Sequence, residues 1–286
     1  MYVITGITGK VGGAMARILR AQGQPVRAVL RNREKAAEWK DLGCEIAVAD
    51  MGDEVALTTA FAGGRAVFVL PPSNFDPLPD FPDARAEAEI IRAALDKAKP
   101  GKVLCLSTIG AQASQTNLLT QRTLLEQSLG DLAIPLAFLR PAWFLDNFAW
   151  DVASARDEGV IRSFLQPIDR AIPMVSTDDI GRVAAEQIQQ DWTGRRIVEL
   201  EGPQPLSVGD VAALFSEILH RSVRAEAVPR ESWNALFLAQ GMRNPTPRIQ
   251  MLDGFNEGWI AFEGADSEVV KGKITPRAAL EKLLRV

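Results

Sequence analysis

Short, nearly unbroken apolar runs recur along the first half of the chain, at "YVIT", "VRAVL", "EIAVA", "AVFVL", "KVLCLS" and "LAFLR". They do not alternate apolar with polar positions, which is the pattern of strands covered on both faces of a parallel sheet. Between them lie amphipathic stretches, "GGAMARILRAQ", "REKAAEWKDL", "EVALTTAF", "ARAEAEIIRAALDKA" and "TQRTLLEQSL", whose apolar spacing predicts helices. Parallel neighbours need crossover connections, so strands alternating with helices predict an α/β architecture with a doubly wound parallel sheet.

The rhythm changes after residue 150. "STDDIGRVAAEQIQQ" opens on the capping residues Ser176 and Thr177 with acids in its first turn, and "LSVGDVAALFSEIL" repeats the device with Ser207. "RRIVELEG" reads as a strand that returns to the sheet. Helices are then expected in "PRESWNALFLAQG", "NPTPRIQMLDGFNEGW" and "TPRAALEKLL", the last with Thr275 as cap and Pro276 at its first helical position. With no internal repeat and no low-complexity linker, the expected organisation is a doubly wound domain over 1–150, rejoined by 174–202. A smaller, mainly helical C-terminal lobe from 151–173 and 203–286 is interleaved with it.

The first strand runs directly into Gly6, Gly9 and Gly12, and then into a helix carrying Val11, Met15, Ile18 and Leu19 on its apolar side. Strand, glycine turn and helix in this order are the context of the dinucleotide-binding fingerprint of a Rossmann sheet. Glycines permit the tight turn and the close approach of backbone to a pyrophosphate, and the helix N-terminus faces the anion. The expected cradle is Gly6, Thr8, Gly9, Lys10, Val11 and Gly12. The second strand continues into Arg31, Asn32 and Arg33, where an NAD-preferring site carries an acid for the ribose 2'-hydroxyl; a cation there favours NADP(H) over NAD(H). Asp50 and Met51, after the third strand, are expected to meet the adenine, and Leu70, Pro71 and Pro72 to line the middle of the cofactor.

Charge and composition narrow the picture. The 286 residues carry a net charge of -4, which argues against a nucleic-acid surface but not against a small phosphorylated ligand. No run approaches the roughly 18 apolar residues of a membrane span, and the first residues lack the features of a signal peptide, so a cytoplasmic protein without a membrane partner is expected. Cys44 and Cys105 sit in or beside apolar strand-like runs and read as small buried hydrophobes. His220 closes an apolar helix, and no ligand cluster suggests a metal.

In chain order, "TGITGKVG", "RN" after the second strand, "STIGA" at the fifth, "LRPAWFLDNF" after the sixth and "PMVSTDDIGRVAA" beyond it resemble the NmrA-like group of atypical short-chain dehydrogenase/reductases. The resemblance implies an NAD(P)-binding Rossmann fold. It implies either an NADPH-dependent quinone-type reductase or a protein that binds the cofactor only to report its redox state. Short-chain reductases use a serine after the fifth strand and a tyrosine four residues before a lysine, the tyrosine giving a proton to the substrate oxygen. By that likeness Ser107 or Thr108 takes the first role, Arg122 falls in the lysine slot and Leu118 in the tyrosine slot. Leucine donates no proton, and the only tyrosine, Tyr2, lies at the start of the first strand. The tyrosine mechanism is therefore excluded, while Arg122 could still bond the nicotinamide ribose.

Hydride transfer to a flat quinone, azo or nitro acceptor needs no tyrosine, because positioning carries most of the rate and water can supply the proton. Ser107, Thr108 and Arg122 are the catalytic candidates, with Ser107 and Arg122 also counted among the cofactor contacts. Pro141, Trp143 and Phe144 are expected to wall the cofactor. Asn147, Phe148, Trp150, Trp233 and Phe237, with Trp259, are expected to form the substrate pocket. The alternative is a non-catalytic NADP(H) redox sensor acting through a regulatory protein partner. The sequence leaves open the acceptor, the partner, the oligomeric state and whether the loop 73–83, "SNFDPLPDFPD", is a lid or a solvated connector.

Overall fold

The computed structural model describes residues 1–264 and 267–285. Its first half alternates as the sequence predicts. β1 (Tyr2–Ile4) leads to α1 (Lys10–Ala21), β2 (Val26–Leu30) to α2 (Ala37–Asp41), β3 (Glu45–Val48) to α3 (Glu54–Phe61) and β4 (Ala66–Val69) to α4 (Pro82–Ala98). β5 (Val103–Leu106), α5 (Thr120–Leu129) and β6 (Leu136–Pro141) complete it. The second half contains β7 (Trp143–Phe144), α6 (Val152–Asp157), β8 (Val160–Ser163), β9 (Met174–Val175), α7 (Thr177–Gln189) and β10 (Arg195–Glu201). It ends with α8 (Val208–Leu219), β11 (Arg224–Ala227), α9 (Trp233–Ala239), α10 (Thr246–Glu257), β12 (Glu268–Lys271) and α11 (Pro276–Leu283).

Eight strands form one sheet in the order β12-β10-β6-β5-β4-β1-β2-β3, and every pairing in it is parallel. From β1 the chain winds outward through β2 and β3 on one side and through β4, β5 and β6 on the other. The switch point therefore lies between β1 and β4, where the crossovers part and leave a crevice outside the carboxyl ends. The small parallel pairs β7–β9 and β8–β11 lie outside this sheet. These strands and β12 are two to four residues long, too short for periodicity to reveal. β12 returns to the sheet from within the span that the sequence assigns to the second lobe.

β1 shows why a continuous apolar run was required. Tyr2 and Ile4 enter the core between the sheet, α1 and α7, while Val3 enters the opposite core with Phe61 and Ile91; none exceeds 2% exposure. A third core gathers Phe148, Phe215, Trp233, Phe237 and Leu280. On the first of these faces α1 and α7 cross closely at Gly181, where an added Cβ would lie 2.5 Å from the Cβ of Ala14 and 2.9 Å from the carbonyl oxygen of Val11.

The capping expectations resolve locally. Ser176 Oγ accepts from Asp179 N at 3.1 Å, Ser207 and Asp210 cap each other's backbone N–H groups, and Thr275 caps α11. Thr177 is the first helical residue rather than the cap. His220 is the C-cap of α8, in the left-handed conformation at φ 52°. Cys44 and Cys105 are buried free thiols, and no metal-binding cluster exists among the described residues. No helix of the described residues is long and apolar enough to cross a membrane.

Candidate functional site

The carboxyl edge of the sheet around the switch point is shaped by its glycines. Gly6 turns the chain out of β1 at φ 61°. A Cβ on Gly12 would lie 2.5 Å from the carbonyl oxygen of Gly6, so the first turn of α1 rests directly on the glycine turn with no room for a side chain. The ends of β1 and β4 are pinned together by buried Thr5. Its Oγ1 donates to the carbonyl of Phe68 at 3.0 Å and accepts from Leu70 N at 2.7 Å.

A cleft of about 390 Å³ opens there, within the range of small-molecule sites. It brings together Gly6, Thr8, Gly9, Arg31, Asp50, Met51, Leu70, Pro71 and Pro72 from the sequence expectation. Five further residues line it: Val29, Leu30, Ala49, Ser73 and Glu87. Val29, Leu30 and Ala49 adjoin expected residues at strand ends. Glu87, on the second turn of α4, carries no signal that separates it from the other acids of "ARAEAEIIRAALDKA".

Five expected contacts are used otherwise. Val11 and Gly12 are buried beneath the turn, and Asn32 turns back so that its Oδ1 accepts from Glu34 N at 2.8 Å. Arg33 lies exposed in the 3-10 turn Arg33–Ala36. Lys10 points away to Asp146, 3.2 Å distant. Asp146 also accepts from Thr177 N at 2.8 Å and Thr177 Oγ1 at 2.6 Å, an acid at the amino end of α7 where the helix dipole favours it.

Burial pushes the Glu87 carboxyl above its ordinary pKa, with Asp50 and Asp83 adding to the rise and Arg122 and Arg31 opposing it. Asp50 accepts from Gly52 N at 2.9 Å. Arg31 stands exposed at the end of β2.

The three catalytic candidates divide. Ser107 is buried and its hydroxyl donates to Glu126 Oε1 at 2.5 Å. Glu126 is in turn gripped by the fork of buried Arg140, at 2.8 and 2.6 Å, and Arg140 also reaches Glu263 at 2.5 Å. The serine therefore completes a buried ionic network. Thr108 is half-buried, with its carbonyl accepting from Ala111 N at 3.3 Å. Arg122 Nη2 donates to the carbonyl of Pro71 at 2.8 Å and to Ser73 Oγ at 2.9 Å. The preceding residue, Gln121, brackets Asn74, donating to its carbonyl at 2.9 Å and accepting its N–H at 3.1 Å. Two consecutive side chains of α5 thus hold the cleft wall from behind. Burial lowers the Arg122 pKa, against the pull of Cys105 and Glu87. Leu118 is buried, and its N–H donates to the carbonyl of Pro247 at 2.8 Å.

The aromatic expectation meets a different packing. Pro141 is buried as the last residue of β6. Trp143 and Phe144 form β7, and Trp143 meets Phe255 edge-on with centroids 5.0 Å apart, leaving its buried Nε1 without a partner. Trp233 and Phe237 are wholly buried in the third core, packed on Phe164, and Trp233 Nε1 donates to the carbonyl of Val228. Their spacing on α9 is that of a core-facing stripe, not of a pocket wall. Phe148 joins the same core, Asn147 is exposed, and Trp150 is 91% exposed. None of these five lines the cleft. Trp259 is half-buried, its Nε1 donating to Glu257 Oε2 at 2.9 Å.

The loop after β4 is strapped to the turn before α10. Asp76 accepts the backbone N–H groups of Arg243 at 3.0 Å and Asn244 at 2.7 Å, and Asn244 Nδ2 donates to the carbonyl of Pro77 at 2.7 Å. These bonds hold the Asp76 carboxyl below its ordinary pKa. Phe75 and Leu78 stand out at 65% and 50% exposure, and the loop enters α4 through left-handed Asp80 and Phe81.

The model of the NmrA-like family matches residues 2–257. The chain is 27% identical over 245 residues to an NAD(P)H azoreductase of Xenophilus azovorans, spanning 85% of this chain and 82% of that protein. It is 25% identical over 245 residues to quinone oxidoreductase 2 of Escherichia coli, again with 85% and 82% covered. Among solved structures, the triphenylmethane reductase of Citrobacter sp. superimposes with a TM-score of 0.81 at 20% identity, over 100% of this chain and 99% of that one.

Proposed function

Since the chain belongs to the NmrA-like family, we propose that it is an NADPH-dependent reductase of a flat, electron-poor small molecule of quinone, azo or nitro type. The observation that carries this reading is the cleft at the switch point, where Gly6, Thr8 and Gly9 of the glycine turn meet Arg31, Asp50 and Met51. The impossibility of a Cβ at Gly12 and the positive φ of Gly6 fit a backbone built to approach a pyrophosphate.

When bound, the nicotinamide nucleotide supplies hydride. The chain's own part is to bind and orient. Backbone N–H groups at the start of α1 face the diphosphate, Arg31 reads a 2'-phosphate, and the Leu70–Ser73 wall, held by Arg122 and Gln121, fixes the course of the molecule. No side-chain proton donor is required of the protein, since a quinone or azo acceptor takes its proton from water. The relatives named as an NAD(P)H azoreductase and a quinone oxidoreductase support this acceptor class.

A second reading, a non-catalytic NADP(H) sensor acting on a regulatory protein, is favoured by the locked Ser107 and by buried Leu118 in the tyrosine slot. A sensor must bind NADPH and NADP+ with different affinities, since equal affinities shift no equilibrium. The test is oxidation of NADPH by the purified protein with a quinone and with an azo dye. Steady turnover supports the reductase; binding without turnover, with a large gap between NADPH and NADP+, supports the sensor.

A further inference from the structure

The adenine end of the cleft is less cationic than Arg31 alone suggests. Glu87 reaches the same cleft from α4, half-buried, and forms no hydrogen bond or ion pair among the described residues. Arg31 from the end of β2 and Asp50 from the end of β3 line the same cleft, Arg122 from α5 lines with it the hollow at Pro71 and Pro72, and Asp83 lies one turn earlier on its own helix. Two cations thus face three carboxylates, and Arg122 is already engaged by the Pro71 carbonyl and Ser73 hydroxyl. A 2'-phosphate brought to Arg31 also enters the field of Glu87. A ribose 2'-hydroxyl, which carries a proton to donate, meets no such repulsion.

We propose that Glu87 is a specificity-determining residue: from α4, it sets how strongly the cleft discriminates between nucleotides with and without a 2'-phosphate. This rests on the cofactor reading above. In NAD-preferring Rossmann sites the acid lies at the end of the second strand. Here Arg31 occupies that place and an acid enters from α4, so one cleft holds both a phosphate reader and a hydroxyl acceptor. While ionised, Glu87 weakens the phosphorylated nucleotides and narrows the gap between the two cofactor pairs. When protonated, it leaves Arg31 unopposed. Because its carboxyl is partly desolvated, the change falls at a higher pH than for a surface glutamate.

The experiment compares the wild-type protein with Glu87→Gln, which keeps shape and removes charge. Dissociation constants for NADP+, NADPH, NAD+ and NADH are measured at pH 8, at low and high salt. At low salt the substitution is expected to raise the ratio of phosphorylated to unphosphorylated affinity by about tenfold, an effect that shrinks in high salt. Glu87→Ala is expected to shift the ratio in the same direction. Wild-type binding with an unchanged ratio in both variants overturns the role of Glu87 and leaves the cofactor reading standing. A wild-type protein that binds none of the four nucleotides overturns both.

Discussion

Asp76 accepts the backbone N–H of Asn244 at 2.7 Å, across 168 positions of sequence, and so ties the loop that follows β4 to the turn before α10. Its carboxylate accepts from three donors there, the Arg243 and Asn244 backbone N–H groups and the Arg243 guanidinium, and Asn244 answers by donating to Pro77. The loop next to the cleft is therefore held from two sides near its start, by α5 at Asn74 and by the turn before α10 at Asp76.

Replacing Asp76 with alanine leaves those N–H groups to water and frees the segment carrying Phe75 and Leu78. The expected outcome is a several-fold increase in proteolytic cleavage between residues 73 and 81, with little change in global stability. An unchanged cleavage rate would show that Gln121 and Pro77 hold the loop without Asp76.

Gly12→Ala places a methyl group 2.5 Å from the carbonyl oxygen of Gly6, where backbone must move. A loss of about 1–3 kcal/mol in urea unfolding is expected, together with loss of nucleotide binding. Full retention of both would mean that α1 can lift from the turn at no cost.

Arg31→Ala is expected to weaken NADPH by roughly ten- to a hundred-fold, the loss of charge-assisted bonds of about 1.5–3 kcal/mol, and to leave NADH nearly untouched. Equal losses for both nucleotides would remove Arg31 from the 2'-phosphate.

Ser107→Ala is expected to retain NADPH turnover within about twofold while lowering stability by about 1–3 kcal/mol, because the hydroxyl completes the buried Glu126–Arg140 network. A drop in turnover of a hundred-fold at unchanged stability would restore a catalytic role.

Asp151 supplies a pH dependence. Burial raises its carboxyl from 3.8 to about 6. The unfolded chain ionises it first, so this group's contribution is most favourable below pH 4 and is lost as pH rises through 6. Asp151→Asn should therefore stabilise the protein by about 1–3 kcal/mol at pH 7 and have no such effect at pH 3.5, read from denaturant midpoints. A stabilisation equal at both pH values would place its cause elsewhere.

The main sheet was legible because buried parallel strands write themselves as apolar runs, and the glycine turn because Gly6 and Gly12 serve backbone geometry that no other residue meets. Arg31, Asp50 and Pro71 follow from strand ends, since carboxyl ends of parallel strands share an edge. Glu87 was not legible: which side of α4 faces the cleft depends on how that helix docks, and its acids look alike in sequence. Trp233 and Phe237 misled for the converse reason, since an aromatic pair on a helix reads the same whether it lines a pocket or fills a core. β12 escaped because "EVVK" is short and mostly exposed, and only its partner β10 makes it a strand.

The far edge of the sheet has a consequence for biosynthesis. Glu199, wholly buried on β10, accepts Glu263 N at 2.6 Å, Gly264 N at 3.3 Å and Ser267 Oγ at 2.6 Å. Until that segment has left the ribosome, Glu199 keeps its water and β10 presents an open edge, the kind of template on which strands of other chains pair. A nascent or truncated chain that stops short of residue 268 thus carries an exposed edge, which β12 closes only once it has been made.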